Sequence, residues 1–188
     1  IITMRHMESL GGYLHSHNYT YKTGSQQQQV TLVQLEDDSN NEWIIEHRIA
    51  SFNNDSRARV VQDLDRVKLR HRSTGKLLRA SSAKPPVSEQ EYDSEVSCTG
   101  DIDYQGDSDE TWTINAINGA VKDPIEPSKA VVKFTNQGHR CVMISHDIRL
   151  PEWAFNQQEV LCLDPATQSR ALFQIETVKL NISENVEF

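Results

Sequence analysis

Leu14-His15-Ser16-His17, followed after a polar loop by Gln26-Gln27-Gln28-Gln29-Val30-Thr31-Leu32, is the stretch on which the reading of this chain turns. Both segments alternate apolar or small residues with polar ones, the period of a half-buried β-strand. Leu14 and Ser16 then share one face and His15 and His17 the other, while Val30 and Leu32 lie together on the second strand. Between them runs Asn18-Tyr19-Thr20-Tyr21-Lys22-Thr23-Gly24-Ser25, polar and carrying two tyrosines.

The chain writes this stretch three times. Ile2-x-Met4, Val67-x-Leu69 and Val132-x-Phe134 open the copies at intervals of 65 and 65 residues. Leu14-His15-Ser16-His17, Leu78-Arg79-Ala80-Ser81 and Met143-Ile144-Ser145-His146 follow at 64 and 65. Val30-x-Leu32, Val96-x-Cys98 and Val160-x-Cys162 come next at 66 and 64, then Trp43-x-Ile45, Trp112-x-Ile114 and Phe173-x-Ile175 at 69 and 61. Four landmark classes keeping one order and nearly one spacing mark an internal repeat, which decides the architecture before any local assignment. Each landmark is a short strand, so a unit holds about four strands and the chain about twelve.

A four-strand unit has one apolar face and cannot bury it alone. Three units closing on one another share a core, with Leu14, Leu78 and Met143 in one layer and Trp43, Trp112 and Phe173 in another. Ser16, Ala80 and Ser145 are all small, as crowding at a common axis requires. The tryptophans are therefore core residues. An all-β barrel with threefold pseudosymmetry is expected, one domain spanning 1–188, with units at about 1–66, 67–131 and 132–180.

At 188 residues such a domain buries roughly 70% of its unfolded surface. The net charge of −8, from 27 acidic and 19 basic residues, disfavours nucleic acid and anionic membrane as partners. No apolar run approaches the roughly 18 residues of a membrane span, so direct membrane insertion is not expected. Ile1-Ile2-Thr3-Met4-Arg5 does not resemble a signal peptide, and a start inside a strand suggests a piece of something longer. Three cysteines exclude a complete disulfide framework. Cys98 and Cys162 share one inward repeat position, where a buried free thiol is the default; Cys141 and Cys162, on neighbouring strands, are the pair able to bridge. Asn18-Tyr19-Thr20, Asn54-Asp55-Ser56 and Asn181-Ile182-Ser183 have the form of glycosylation acceptors.

Between the landmarks lie turns and loops. Residues 46–65 form a polar exit from the first unit, and Ser73-Thr74-Gly75 turns a hairpin. The acidic run 101–110 matches no calcium-loop spacing and reads as a solvated loop. In the third unit Trp153 sits in a loop outside the repeat, and Ile144 replaces the polar residue found at His15 and Arg79. The tail beyond Val178 is expected to be loose.

Leu-His-Ser-His, the Gln-Gln-Val-Thr segment, Asn41-Glu42-Trp43 and Leu69-Arg70-His71 with Thr74-Gly75 together resemble the MIR domain, shared by protein O-mannosyltransferases, inositol trisphosphate receptors and ryanodine receptors. The resemblance covers almost the whole chain and is closest to the fungal protein O-mannosyltransferases, in their second subfamily; Leu32-Val33 departs from the Cys-Tyr many relatives carry. It implies a β-trefoil in the endoplasmic reticulum lumen, between transmembrane segments of a membrane enzyme that moves mannose from dolichyl phosphate mannose to Ser or Thr of proteins. The family's catalytic acidic residue lies in another lumenal loop, so this chain would be non-catalytic and need no cofactor. Its partners would be a mannose-containing glycan or Ser/Thr-rich acceptor protein, the rest of the enzyme and a partner subunit.

Trefoil lectins place one shallow site per repeat, where planar hydrogen-bonding groups and an aromatic face meet the sugar. The corresponding candidates are His15, Ser16, His17, Gln28, Gln29 and Tyr19 or Tyr21 in the first unit, Arg79, Ser81 and Tyr92 in the second, and His146, Trp153, Gln157 and Gln158 in the third. A sugar-free scaffold that holds partner subunits or client proteins is the alternative, served by the loops at 46–65 and 101–110. His15-x-His17 projects two imidazoles from one face, but no Cys or carboxylate stands at zinc-ligand spacing nearby. Nor is a Ser/His/Asp pattern or phosphate loop readable.

Overall fold

Every landmark of the repeat is a strand. The computed structural model describes residues 1–8, 10–47, 60–88, 93–165 and 169–178. The first unit contributes β1 (Ile2–His6), β2 (Tyr13–Thr20), β3 (Gln28–Val33) and β4 (Trp43–His47). The second contributes β5 (Arg66–His71), β6 (Leu77–Ala80), β7 (Ser94–Thr99) and β8 (Trp112–Ala116). The third contributes β9 (Val131–Asn136), β10 (Val142–Arg149), β11 (Gln158–Leu163) and β12 (Phe173–Thr177). Two short 3-10 turns, Ser39–Asn41 and Glu152–Ala154, lie between the strands.

Two closed arrangements result. β1, β12, β9, β8, β5 and β4 pair in that order and β4 returns to β1, all antiparallel, forming a six-strand ring. The longest ladders in the ring join successive units: β4 to β5, β8 to β9 and β12 to β1. A ring has no edge to protect. The hairpins β2–β3, β6–β7 and β10–β11 stack over one end, and their second strands form a triangle, β3 with β7, β7 with β11 and β11 with β3.

The core follows the repeat. Trp43, Trp112 and Phe173 are fully buried, as are Leu14, Leu78 and Met143. Trp43 Nε1 donates to the carbonyl of Leu14 at 2.9 Å, and Trp112 Nε1 makes the corresponding bond to Leu78 at 3.0 Å. One bond thus serves two units. In the third, Phe173 has no donor and packs edge-on against Phe134 at 5.9 Å. Ser16 and Ser145 also correspond, each hydroxyl donating to the carbonyl of Gln29 or Glu159 at 2.7 Å.

Several expectations are corrected. Cys141 and Cys162 are joined by a disulfide across Cα atoms 5.3 Å apart, so Cys162 is not a free thiol; Cys98 is, and is fully buried. Glu46 and His47 belong to β4, with Glu46 paired to Arg70 and His47 3.3 Å from Asp65. The larger correction concerns the polar faces of the triangle strands, which the alternation assigns to solvent. β3, β7 and β11 are buried on both faces, because each lies between two other strands and beneath a returning loop. Gln29, Glu95 and Glu159, each just before the inward valine of its unit, are completely buried. Asn54, Tyr92, Asn181 and the tail beyond residue 178 lie outside the described residues.

Candidate functional site

The accessible part of the first unit lies where β2 leaves the core. Its ladder slips there: Ser16 pairs with Val30 and the next pair is Thr20 with Gln28, so four steps on β2 match two on β3. The surplus residues bulge, and burial along the strand changes from five buried positions to three exposed ones. His17, Asn18 and Tyr19 line a depression of about 570 Å³ with Asn40, Ser73, Thr74 and Lys76, within the range of small-molecule sites.

An aromatic group stands at its edge. Tyr19 is 59% and Phe155 50% exposed, and their rings meet edge to face at 5.0 Å. His17 touches both, at 5.4 Å and 5.3 Å. Phe155 comes from the third unit and has a left-handed φ of 58°, followed by Asn156 at 52°, a conformation uncommon for a bulky residue. The turn is held by the Phe155 N–H to Glu152 O at 2.9 Å and by Arg149 Nη1 to Asn156 O at 3.0 Å. Sequence reasoning missed Phe155, whose partner Tyr19 lies two units away.

Behind the depression is a network of neutral imidazoles. His17 Nε2 donates to Gln29 Oε1 at 2.9 Å, and His15 Nδ1 donates to Asn41 Oδ1 at 2.8 Å. His71 Nε2 donates to the Asn40 carbonyl at 3.0 Å, leaving Nδ1 to accept from Thr74 Oγ1 at 2.9 Å. Thr74 Oγ1 accepts in turn from Gln28 Nε2, which also donates to Ser16 Oγ. Burial lowers all three histidines despite these bonds, and pushes His71 down to about 4. Ser16, Gln28 and Gln29 are therefore interior framing residues, and His15 is covered by the 3-10 turn at Ser39–Asn41. Tyr21 is fully buried too, its hydroxyl bridging the carbonyls of Val30 and Val96 at 3.0 Å each. It offers no ring to a ligand.

The imidazoles give a pH signature. His71 binds a proton near its ordinary 6.5 when unfolded and near 4 when folded, so acid favours the unfolded chain across that interval. Its contribution to stability is fully present above about 6.5 and lost as pH falls towards 4, on the order of 3 kcal/mol. Urea midpoints of the wild type should therefore fall more steeply between these pH values than those of His71→Gln.

The other candidates are placed differently. Arg79 is half-buried, 3.3 Å from Asp109 and 3.6 Å from Glu110, and Ser81 accepts from the Ala83 N–H at the end of β6. Trp153 packs over Tyr21 at 6.3 Å with Leu150 and Ala154. Gln157 accepts from Thr31 Oγ1 at 2.6 Å, and Gln158 is buried, bonded to Gln34 and to the His146 carbonyl. These residues hold loops to strands and do not converge with the first-unit depression. On the outer face of the third unit, Ile144 packs with Val142, Leu161 and Ala171, so apolar contacts replace the polar ones of His15.

Ser88, His146 and Glu159 unite the residue types of a serine hydrolase, with Ser88 Oγ 2.8 Å and Glu159 Oε1 3.1 Å from the imidazole. Both meet the same nitrogen, Nε2, while Nδ1 accepts from the Ile148 N–H at 3.1 Å. A relay needs serine and carboxylate on opposite nitrogens, so this trio anchors a loop instead. Burial raises the Glu159 carboxyl, but bonds from His146, Ser88 and Val87 outweigh it and hold it below its usual range. Glu95 is instead raised by burial, which outweighs the bonds from Ser25 and Ser97. Among the described residues no group of His, Cys, Asp and Glu is arranged to hold a metal ion, and no helix is long and apolar enough to cross a membrane.

Known proteins share this sequence pattern and this fold. A probable dolichyl-phosphate-mannose–protein mannosyltransferase 7 of Saccharomyces cerevisiae is 42% identical over 98% of the chain, which spans 30% of that relative. The S. cerevisiae protein O-mannosyltransferase Pmt1–Pmt2 complex bound to the sugar donor superposes with a TM-score of 0.83 at 33% identity, over 94% of this chain and 24% of that one. The chain therefore spans under a third of these transferases. An SDF2-like protein from Arabidopsis thaliana aligns over 96% of this chain and 95% of its own, with a TM-score of 0.80 and 26% identity. Residues 12–165 match the MIR domain, and the chain belongs to that family.

Proposed function

We propose that this chain is the non-catalytic MIR module of a protein O-mannosyltransferase, a β-trefoil facing the endoplasmic reticulum lumen, and that it holds mannose-bearing glycan or acceptor polypeptide near the transfer reaction. The ring of six strands with three capping hairpins supports the fold assignment. The Cys141–Cys162 disulfide suits an oxidising lumen. The observation that carries the reading is the exposed Tyr19–Phe155 pair beside a depression lined by amide, hydroxyl and ammonium groups. Sugars use this combination, an aromatic ring against their C–H face and polar groups against their hydroxyls. One such shallow site is worth about 4 kcal/mol, a dissociation constant on the order of millimolar. Covalent attachment beside an active site raises effective concentration enough to make it useful.

Titration with mannose and with a mannosylated Ser/Thr peptide, followed by backbone amide shifts, tests the reading. Saturable changes at His17, Tyr19 and Phe155 are expected, and Tyr19→Ala or Phe155→Ala should weaken binding about tenfold, as loss of one aromatic contact implies. Saturation confined to residues elsewhere would overturn the site. Retention of a protein partner after complete deglycosylation, with no shift on adding sugar, would favour the scaffold alternative.

A further inference from the structure

We propose that Asn18 is itself a site of asparagine-linked glycosylation, and that its first sugar lodges in the adjoining depression and closes it to ligands in trans. The second half rests on the sugar-binding reading above, and the first only on the lumenal placement proposed with it. Asn18-Tyr19-Thr20 has the acceptor form, and it is the one such triplet whose asparagine lies among the described residues. Asn18 is exposed, sits in the bulge where the β2 ladder slips, and its side-chain amide has no hydrogen-bond partner among the described residues. It also lines the depression, so a sugar joined to it starts at the rim of a concavity furnished by Asn40, Ser73, Thr74 and Lys76.

The chemistry is a group transfer without redox change. Asn18 Nδ2 forms a bond to the anomeric carbon of an oligosaccharide carried on a lipid pyrophosphate. The bond from that carbon to the pyrophosphate oxygen breaks, the lipid pyrophosphate leaves with the electron pair, and Nδ2 gives up one proton. A tethered sugar then has an effective concentration on the order of millimolar, comparable to the dissociation constant of a shallow sugar site. The attached sugar occupies the depression for much of the time, and a free ligand must compete with it.

The 188-residue chain, secreted from a eukaryotic host with a signal sequence, provides the test. Peptide mapping after amidase deglycosylation should find residue 18 converted to aspartate. Thr20→Ala, which leaves every residue lining the depression in place, should abolish that conversion, and Thr20→Ser should retain it. Titrated with methyl α-mannoside, Thr20→Ala should bind about twofold more tightly than the glycosylated chain, the ratio set by an effective concentration equal to the dissociation constant. An unmodified Asn18 overturns the proposal outright. A modified Asn18 with equal mannoside affinity in both forms removes the docking step and leaves the site standing, whereas a modified Asn18 with no binding in either form overturns both docking and site.

Discussion

Trp43→Ala is expected to lower the unfolding free energy by about 3–5 kcal/mol, the usual cost of emptying a buried indole site. In a chain of this size that corresponds to a fall in Tm of about 6–20 °C. Two effects combine. Trp43 is among the largest side chains wholly removed from water, so its loss leaves a cavity inside the strand ring. It also deprives the Leu14 carbonyl of its donor, and an unpaired buried carbonyl costs about 1–3 kcal/mol. Because Trp112 makes the same bond to Leu78, Trp112→Ala should match Trp43→Ala within about 1 kcal/mol. Phe173→Ala should lose the packing but no hydrogen bond. Urea unfolding of the three variants checks this, and a loss below about 1 kcal/mol for Trp43→Ala would contradict a core shared by the three units.

Removal of the Cys141–Cys162 bridge is expected to cost about 3 kcal/mol, since the crosslinked residues are separated by 21 positions. The corresponding drop in Tm is about 6–12 °C. The double variant Cys141→Ala/Cys162→Ala is the appropriate comparison, because Cys162 is wholly buried and serine would bury an unpaired hydroxyl there. Thiol counting offers a second check. Burial pushes the Cys98 thiol up to about 12, so it should resist alkylation in the folded protein. Unfolding without reduction should expose one thiol, and reduction should expose three.

Both experiments bear on features of different legibility. The tryptophan positions were readable because an inward residue at a repeated place leaves a periodic trace in one dimension. The bridge was readable only as an option: Cys162 shares its repeat position with Cys98, and nothing local distinguishes the bonded thiol from the free one. What distinguishes them is Cys141, close to Cys162 only because β10 and β11 pair in the register Met143 with Cys162. The candidate site divides in the same way. His17 stood out as a polar strand residue and Tyr19 as an aromatic of the following loop, which the structure joins in β2, yet neighbouring candidates such as Gln28 and Gln29 proved to be interior. Alternation shows which face is polar but cannot show that a second layer will cover it. The recurrence of Gln29, Glu95 and Glu159 before the inward valines was the available signal, since a polar residue kept at one strand position in all three units suggests an internal partner.

The sequence by itself determined the number of units, the strands in each and the apolar residues that fill the centre, because these depend on order and period along the chain, while the likeness to the MIR family rests on particular motifs such as Leu14-His15-Ser16-His17. Only the tertiary structure decided which polar side chains meet solvent, which cysteines join, and that Phe155 of the third unit stands against Tyr19 of the first. Those outcomes depend on contacts between residues apart in sequence, from 21 positions for Cys141 and Cys162 to more than a hundred for Tyr19 and Phe155, and such residues meet only once the ring has closed and the three hairpins have packed over its end.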